Sequence, residues 1–246
     1  MSPDGRAAAA AAAPATVAVI VALSIERASL QKTLSAAQVP LGLLQRGPGS
    51  DRAARAATAA LASGAHALVS WGFAGGLAAD LAPGAVVLPR RVRAADGSKF
   101  DADPAWHAAL VRALRADLAP RLEDLVSVTA ALTTPEQKKA AGASGAIAVD
   151  MESAAIAAVA ARARAPFVAL RVIVDAADDS LPGDAERWID ERGERRLLPA
   201  FAAAFQPAQW RELWTLARRY RVACGTFDRL AAVVAPAGFC FSEPVS

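Results

Sequence analysis

The stretch Val149–Pro182, VDMESAAIAAVAARARAPFVALRVIVDAADDSLP, constrains the fold of this chain more than any other part of it. An apolar run ends in Asp150-Met151-Glu152-Ser153. An alanine-rich helical pattern follows to Arg164, and a second apolar run, Phe167–Val174, stops at Asp175. The order is strand, helix, strand, with carboxylates at both strand ends. In an open α/β sheet ligands lie beyond the carboxyl ends of the strands, so Glu152 and Asp175 are expected to line one crevice. A strand-end acid also serves as an ordinary helix cap, and position alone leaves both roles open.

Residues 1–15 read as a disordered leader, because their apolar part is almost pure alanine and too weak for a signal peptide. The folded domain is expected over 16–235, helical from about 184, with a tail at 236–246. Thr16–Leu23 is a continuous β-branched run, as in a strand buried on both faces. It ends at Ser24-Ile25-Glu26-Arg27, where a helix begins and runs to about Ala37. Ser24 can cap that helix. Glu26 in its first turn either complements the helix dipole or serves a site at the end of the first strand.

Gly47-Pro48-Gly49-Ser50 feeds a helix over Asp51–Ser63, a place where backbone N–H groups can hold an anion. Ala65–Trp71 is a second buried strand, followed by a glycine-rich loop at Gly72–Gly76 that lets backbone approach a ligand closely. Further strands are expected at Val86–Val92, Leu125–Leu132 and Ala146–Val149, and helices at Asp103–Leu118 and from Thr134-Pro135-Glu136. Trp210, Leu213, Trp214 and Ala217 recur at helical spacing, with Arg211, Arg218, Arg219 and Arg221 mostly off that face. This segment is either a helix packed on the sheet with a solvated charged side or a peripheral contact with a membrane interface. The elements together specify an α/β fold: a three-layer α/β/α single domain with a mixed central sheet.

Several function classes are disfavoured. No apolar stretch approaches the roughly 18 residues needed to span a bilayer. Two cysteines in 246 residues, Cys224 and Cys240, make no disulfide framework, which points to the cytoplasm. The formal charge of +3 is spread over scattered arginines that do not alternate with aromatics, so nucleic-acid binding is not expected. There is no Cys/His cluster for a metal, and no complete phosphate P-loop.

Glu26, Glu152 and Asp175 all stand at strand ends. They suit glycoside cleavage through an oxocarbenium-like state. One acid can protonate a purine so that it can leave, a second can hold both ribose hydroxyls, and a third can orient or deprotonate water. The Asp-Met-Glu-Ser motif and the Arg171/Asp175 strand end resemble the nucleoside phosphorylase/nucleosidase superfamily, over about Thr16 to Pro182. The resemblance implies that Asp175 protonates the purine and Glu152 binds the ribose diol. It also implies that Met151 packs on the ribose, Glu26 activates water, and Gly72 to Gly76 (Gly72, Phe73 and Gly75 among them) run beneath the sugar. Arg171 accompanies the Asp of the purine site. Gly47 and Gly49 match the small-residue turn before the second helix, with Arg52 beside it as a cation for a phosphate nucleophile.

With Asp-Asp-Ser-Leu-Pro at 178–182, strands missing around 38–47 and a helical tail, the chain looks most similar to the hopanoid-associated branch. That branch is assigned to removing adenine from adenosylhopane. Phosphorylases of the superfamily place a phosphate-binding Arg where this chain has Ser70, and a Ser or Thr where it has Phe73. Hydrolysis is therefore the expected course. Phe73 and the loop Val39–Leu44 are expected to widen an apolar opening. The resemblance implies a homo-oligomer acting on an adenine nucleoside with an apolar 5′ group, with no metal or organic cofactor. A methylthioadenosine/adenosylhomocysteine nucleosidase and a non-catalytic nucleoside-binding module remain alternatives.

Overall fold

The computed structural model describes residues 17–37, 42–45, 48–115, 117–180, 210–237 and 239. In chain order the elements are β1 (Val17–Val21), α1 (Ser24–Ala37), β2 (Gly42–Gln45), α2 (Ser50–Ala62), β3 (Ala67–Gly76), β4 (Val86–Val87), β5 (Arg91–Ala94) and β6 (Lys99–Asp101). They continue with α3 (Pro104–Leu114), β7 (Leu125–Ser127), α4 (Pro135–Gly142), β8 (Ala148–Asp150), α5 (Ser153–Ala163), β9 (Phe167–Asp175) and α6 (Trp210–Val234).

The nine strands form one mixed sheet organised around β3, a ten-residue strand. The first half of β3 pairs parallel with β1, its last residues pair antiparallel with β8, and β9 runs parallel along its other edge. From β8 the sheet continues through β7 and β5 to β6, while β2 flanks β1 and β4 flanks β9. Side chains alternate along each strand, so β9 serves two cores at once. Val168, Leu170 and Val172 pack with Leu30, Leu110, Phe227, Leu230 and Val234 beneath α1, α3 and α6. Phe167, Ala169 and Ile173 pack on the other face with Ala53, Ala56, Ala57, Ala60, Ala154, Ile156 and Ala157 of α2 and α5. The alanines give α2 and α5 flat faces that let the helices lie close to the sheet and to each other. Ser29 Oγ donates to Asp228 at 2.7 Å and fastens α1 to α6.

Several boundaries depart from the sequence reading. The glycine-rich segment after Trp71 is not a loop but the second half of β3, held in the sheet by β8 and β9. A short strand, β2, occupies 42–45, inside the segment expected to lack strands, because it finds a parallel partner in β1. Val86–Val92 divides into β4 and β5, which pair with different neighbours. The strand expected over Leu125–Leu132 stops at Ser127, and β6 carries no apolar run at all. The buried face of α6 comes from its later turns, Ala223, Phe227, Leu230, Ala231 and Val234, while Ala217 is exposed. The side chains of Trp210, Leu213 and Trp214 lie outside the described residues, as do the leader 1–15, Val39, Gly47, residues 181–209 where the helical part was expected to begin, and all of the tail 236–246 but 236, 237 and 239. Among the described residues no helix is long and apolar enough to cross a membrane.

Candidate active site

The cleft opens where β1, β3, β8 and β9 end. Its volume is about 200 Å³, and Glu26, Phe73, Gly75, Met151, Glu152 and Asp175 line it. Residues expected from four separate segments thus meet in one place.

Glu26 is buried, 3% exposed, and is not simply a dipole complement. One carboxylate oxygen accepts N–H groups from Ala22 (2.9 Å) and Leu23 (2.8 Å), and the other accepts Phe73 N–H at 2.9 Å. The side chain reaches back over the helix start, as the third residue of a capping box does. Burial raises its pKa, opposed by the N–H of Leu23, the N–H of Phe73 and the charge of Arg171. Gly72 is needed here for space: a Cβ would lie 2.7 Å from Glu26 Oε1 and 3.2 Å from Arg171 Nη1.

Glu152 sits at the start of α5, with Oε1 accepting the N–H of Gly49 at 2.9 Å. Gly49, at φ 108°, therefore presents its N–H to a side-chain anion of the protein itself. Arg52 donates to the Pro48 carbonyl at 3.2 Å and braces that turn. Burial first, and the charge of Asp150 second, raise Glu152 to about 7.

Arg171 is 2% exposed and forms the back wall of the site. Its Nε donates to Asp150 Oδ2 at 2.8 Å, Nη2 lies 2.6 Å from the same oxygen as an ion pair, and the two Nη2 hydrogens go to Ser70 Oγ (2.6 Å) and Ser153 Oγ (2.8 Å). Asp150 accepts further bonds from Ser127 Oγ and the Ser153 N–H, which locks the start of α5. Behind the cleft, Glu26, Glu152, Arg171, Ser70 and Gly72 enclose a chamber of about 10 Å³, and Glu26 and Glu152 border both spaces. That is room for about one water molecule.

Asp175 is buried at the end of β9, and Gly75 lies beside it, where a Cβ would come 3.3 Å from Asp175 Oδ2. Burial raises its pKa, and the ammonium of Lys138 works against that rise. Lys138 is in direct contact with Asp175 Oδ2. Nothing in the sequence singles out this lysine, which lies one position past the Gln137 of a capped helix start and shows only as a charge among charges. Asp150, Ser153 and Ser70 were equally silent as partners of Arg171. Phe73 packs against Phe227 and Tyr220 of α6, with ring centroids 4.7 and 5.5 Å away. Phe73 and Phe227 also line a second groove of about 220 Å³.

A family profile described as the phosphorylase superfamily matches residues 3–205. The chain belongs to the phosphorylase superfamily. Membership carries the coarse activity, cleavage of the N-glycosidic bond of purine nucleosides. No curated protein matches the chain in sequence. Among solved structures, the chain is similar to 5′-methylthioadenosine/S-adenosylhomocysteine nucleosidase from Neisseria meningitidis, in complex with methylthio-immucillin-A. The TM-score is 0.68 at 22% identity, covering 90% of this chain and 99% of that one. It is also similar to the Helicobacter pylori nucleosidase of the same name with 5′-methylthioadenosine in its active site (TM-score 0.64, 16% identity, 88% and 97% covered). Futalosine hydrolase of Helicobacter pylori aligns at TM-score 0.63 and 16% identity, over 87% of this chain and 96% of that one. These similarities support the superfamily fold, with its mixed sheet between two helical layers.

Proposed function

We propose that this superfamily member is a hydrolytic nucleosidase that releases adenine from a nucleoside with a large apolar 5′ group, adenosylhopane being the substrate its sequence resemblance points to. The observation that carries hydrolysis is Glu26, a carboxyl buried beside the cleft and held by three backbone N–H groups, where its negative charge opposes a phosphate dianion. The cation that lines the chamber, Arg171, is already committed to Asp150. Arg27 is exposed and Arg52 braces the Pro48 turn, so neither stands in for the Arg that Ser70 replaces.

In this reading water attacks the anomeric carbon as the glycosidic bond breaks. Glu26, aligned by backbone N–H groups, takes a proton from the water. Its raised pKa makes it a better proton acceptor than an exposed carboxylate. Glu152 accepts hydrogen bonds from the ribose hydroxyls, and Met151 packs against the sugar. Asp175, protonated, gives its proton to the purine ring nitrogen, so that adenine leaves neutral. The products are adenine and the free sugar. Phe73 and its aromatic neighbours on α6 offer apolar surface on the 5′ side.

The test is adenine release from adenosylhopane in detergent, with methylthioadenosine as control. Turnover of the lipid nucleoside at least about tenfold faster than the control supports the substrate assignment. Turnover of the control alone moves the protein to the small-substrate nucleosidases that share its fold.

A further inference from the structure

Asp175 is held at one oxygen by an assembly that no role above uses. Lys138, on α4, is 1% exposed. Its ammonium contacts Asp175 Oδ2 and donates to the carbonyls of Ala176 (2.6 Å) and Asp179 (3.0 Å), which uses its donors in full. Asp179 is itself fixed. One of its carboxylate oxygens accepts the Ala176 N–H at 2.8 Å, and the other forms an ion pair with Arg219 Nη2, from α6, at 2.6 Å. Three segments, α4, the turn after β9 and α6, therefore converge beside a single carboxyl oxygen. A buried lysine is costly to desolvate, and a buried ion pair contributes little net stability compared with apolar packing of the same volume. So complete a set of partners at the acid of the site is better explained by what it does to that acid.

We infer that Lys138, seated by Asp179 and Arg219, is a positioning residue for Asp175: it fixes Oδ2, leaves Oδ1 to meet the purine, and neutralises the carboxylate formed when the proton passes to the base. The inference rests on the assignment of Asp175 as the proton donor. The charged groups facing Asp175 are Lys138 from α4, Asp179 from the turn and Arg219 from α6. Burial drives its pKa up, and Lys138 is the strongest opposing influence. Without Lys138 the carboxyl holds its proton more tightly and is a poorer acid at neutral pH.

The experiment is a carbon-13 NMR titration of the Asp175 carboxyl, assigned with Asp175→Asn, in the wild type and in Lys138→Met, Lys138→Arg and Arg219→Gln. It requires no turnover, so it stands apart from the substrate assignment. Lys138→Met is expected to move the titration upward by roughly one pH unit or more, and Lys138→Arg to keep it near the wild type. Arg219 is a third exposed, so Arg219→Gln should fold, with a smaller shift in the same direction. In adenine-release assays the alkaline limb of kcat/KM should move with the titration. An unchanged titration in Lys138→Met overturns the inference. If that variant does not fold, an unchanged titration in Arg219→Gln overturns it. A wild type whose Asp175 titrates as described but which releases no adenine refutes the nucleosidase reading and leaves the Lys138 assignment intact.

Discussion

Replacing Arg171 by methionine should unfold the site from behind, and by an amount the structure bounds. The guanidinium donates to Asp150 Oδ2 from Nε at 2.8 Å, pairs with it ionically from Nη2 at 2.6 Å, and donates to Ser70 and Ser153 at 2.6 and 2.8 Å. Both members of the Arg171–Asp150 pair are nearly inaccessible, with side-chain exposures of 2% and 1%. Removing one partner of such a pair leaves a buried charge uncompensated, at about 3–5 kcal/mol. In a chain of this length that corresponds to a fall in Tm of roughly 6–20 °C. Arg171 also lowers the pKa of Glu26 and Glu152, so its loss makes both acids harder to ionise. The sign follows: with Arg171 gone, every ionised acid nearby costs more, so the deficit is largest at high pH and narrows as the acids take up protons. Thermal unfolding of wild type and Arg171→Met from pH 5 to pH 8 measures this directly. The double variant Arg171→Met/Asp150→Leu should recover part of the loss, because it removes the stranded charge together with its partner. A loss below about 1 kcal/mol, or one independent of pH, would refute the account of Arg171 as the counter-charge of the site.

Other outcomes follow from the same geometry. Gly72→Ala places a Cβ 2.7 Å from Glu26 Oε1, and should cost about 1–3 kcal/mol in stability and at least about a hundredfold in kcat, read by Tm and adenine release. Glu152, held at about 7 against an ordinary 4.5, favours its neutral form in the folded protein. The stability this brings is complete below about pH 4.5 and is lost as pH rises through about 7. The Tm of Glu152→Gln should therefore gain on the wild type between pH 5 and pH 8, and a constant difference would argue against the shift. Phe73→Ala removes the contacts with Phe227 and Tyr220. It should raise KM for the lipid nucleoside several-fold more than for methylthioadenosine, and equal effects on both would take the apolar 5′ group away from Phe73.

The sequence disclosed those parts of the fold whose cause is local. β1 is an apolar run rich in β-branched residues and β9 an apolar run interrupted by Arg171, α5 lies between an acidic strand end and the next strand, and α3 and α4 carry their caps and prolines in order. The parts that escaped depend on distant partners. β2 is a strand because β1 offers it an edge, and Gly72 to Gly76 extend β3 because β8 and β9 pair with them on either side. The acids of the site were visible as strand-end residues. Their supports were not. A lysine one turn into a helix and a serine within a strand give no signal until Lys138 is seen against Asp175 and Ser70 against Arg171. Gly49 was expected to offer its N–H to an anion, and in the structure that N–H is donated to Glu152 Oε1 at 2.9 Å.

The central claim is that Glu26 activates water and that phosphate takes no part in the reaction. It is tested most directly by adenine release in phosphate-free buffer, by the wild type and by Glu26→Gln, with and without added phosphate. The account predicts release by the wild type that phosphate does not accelerate, and a loss of about 10²–10⁴-fold in kcat in the variant, with substrate still bound. Release that requires phosphate, or a Glu26→Gln enzyme as fast as the wild type, would contradict it.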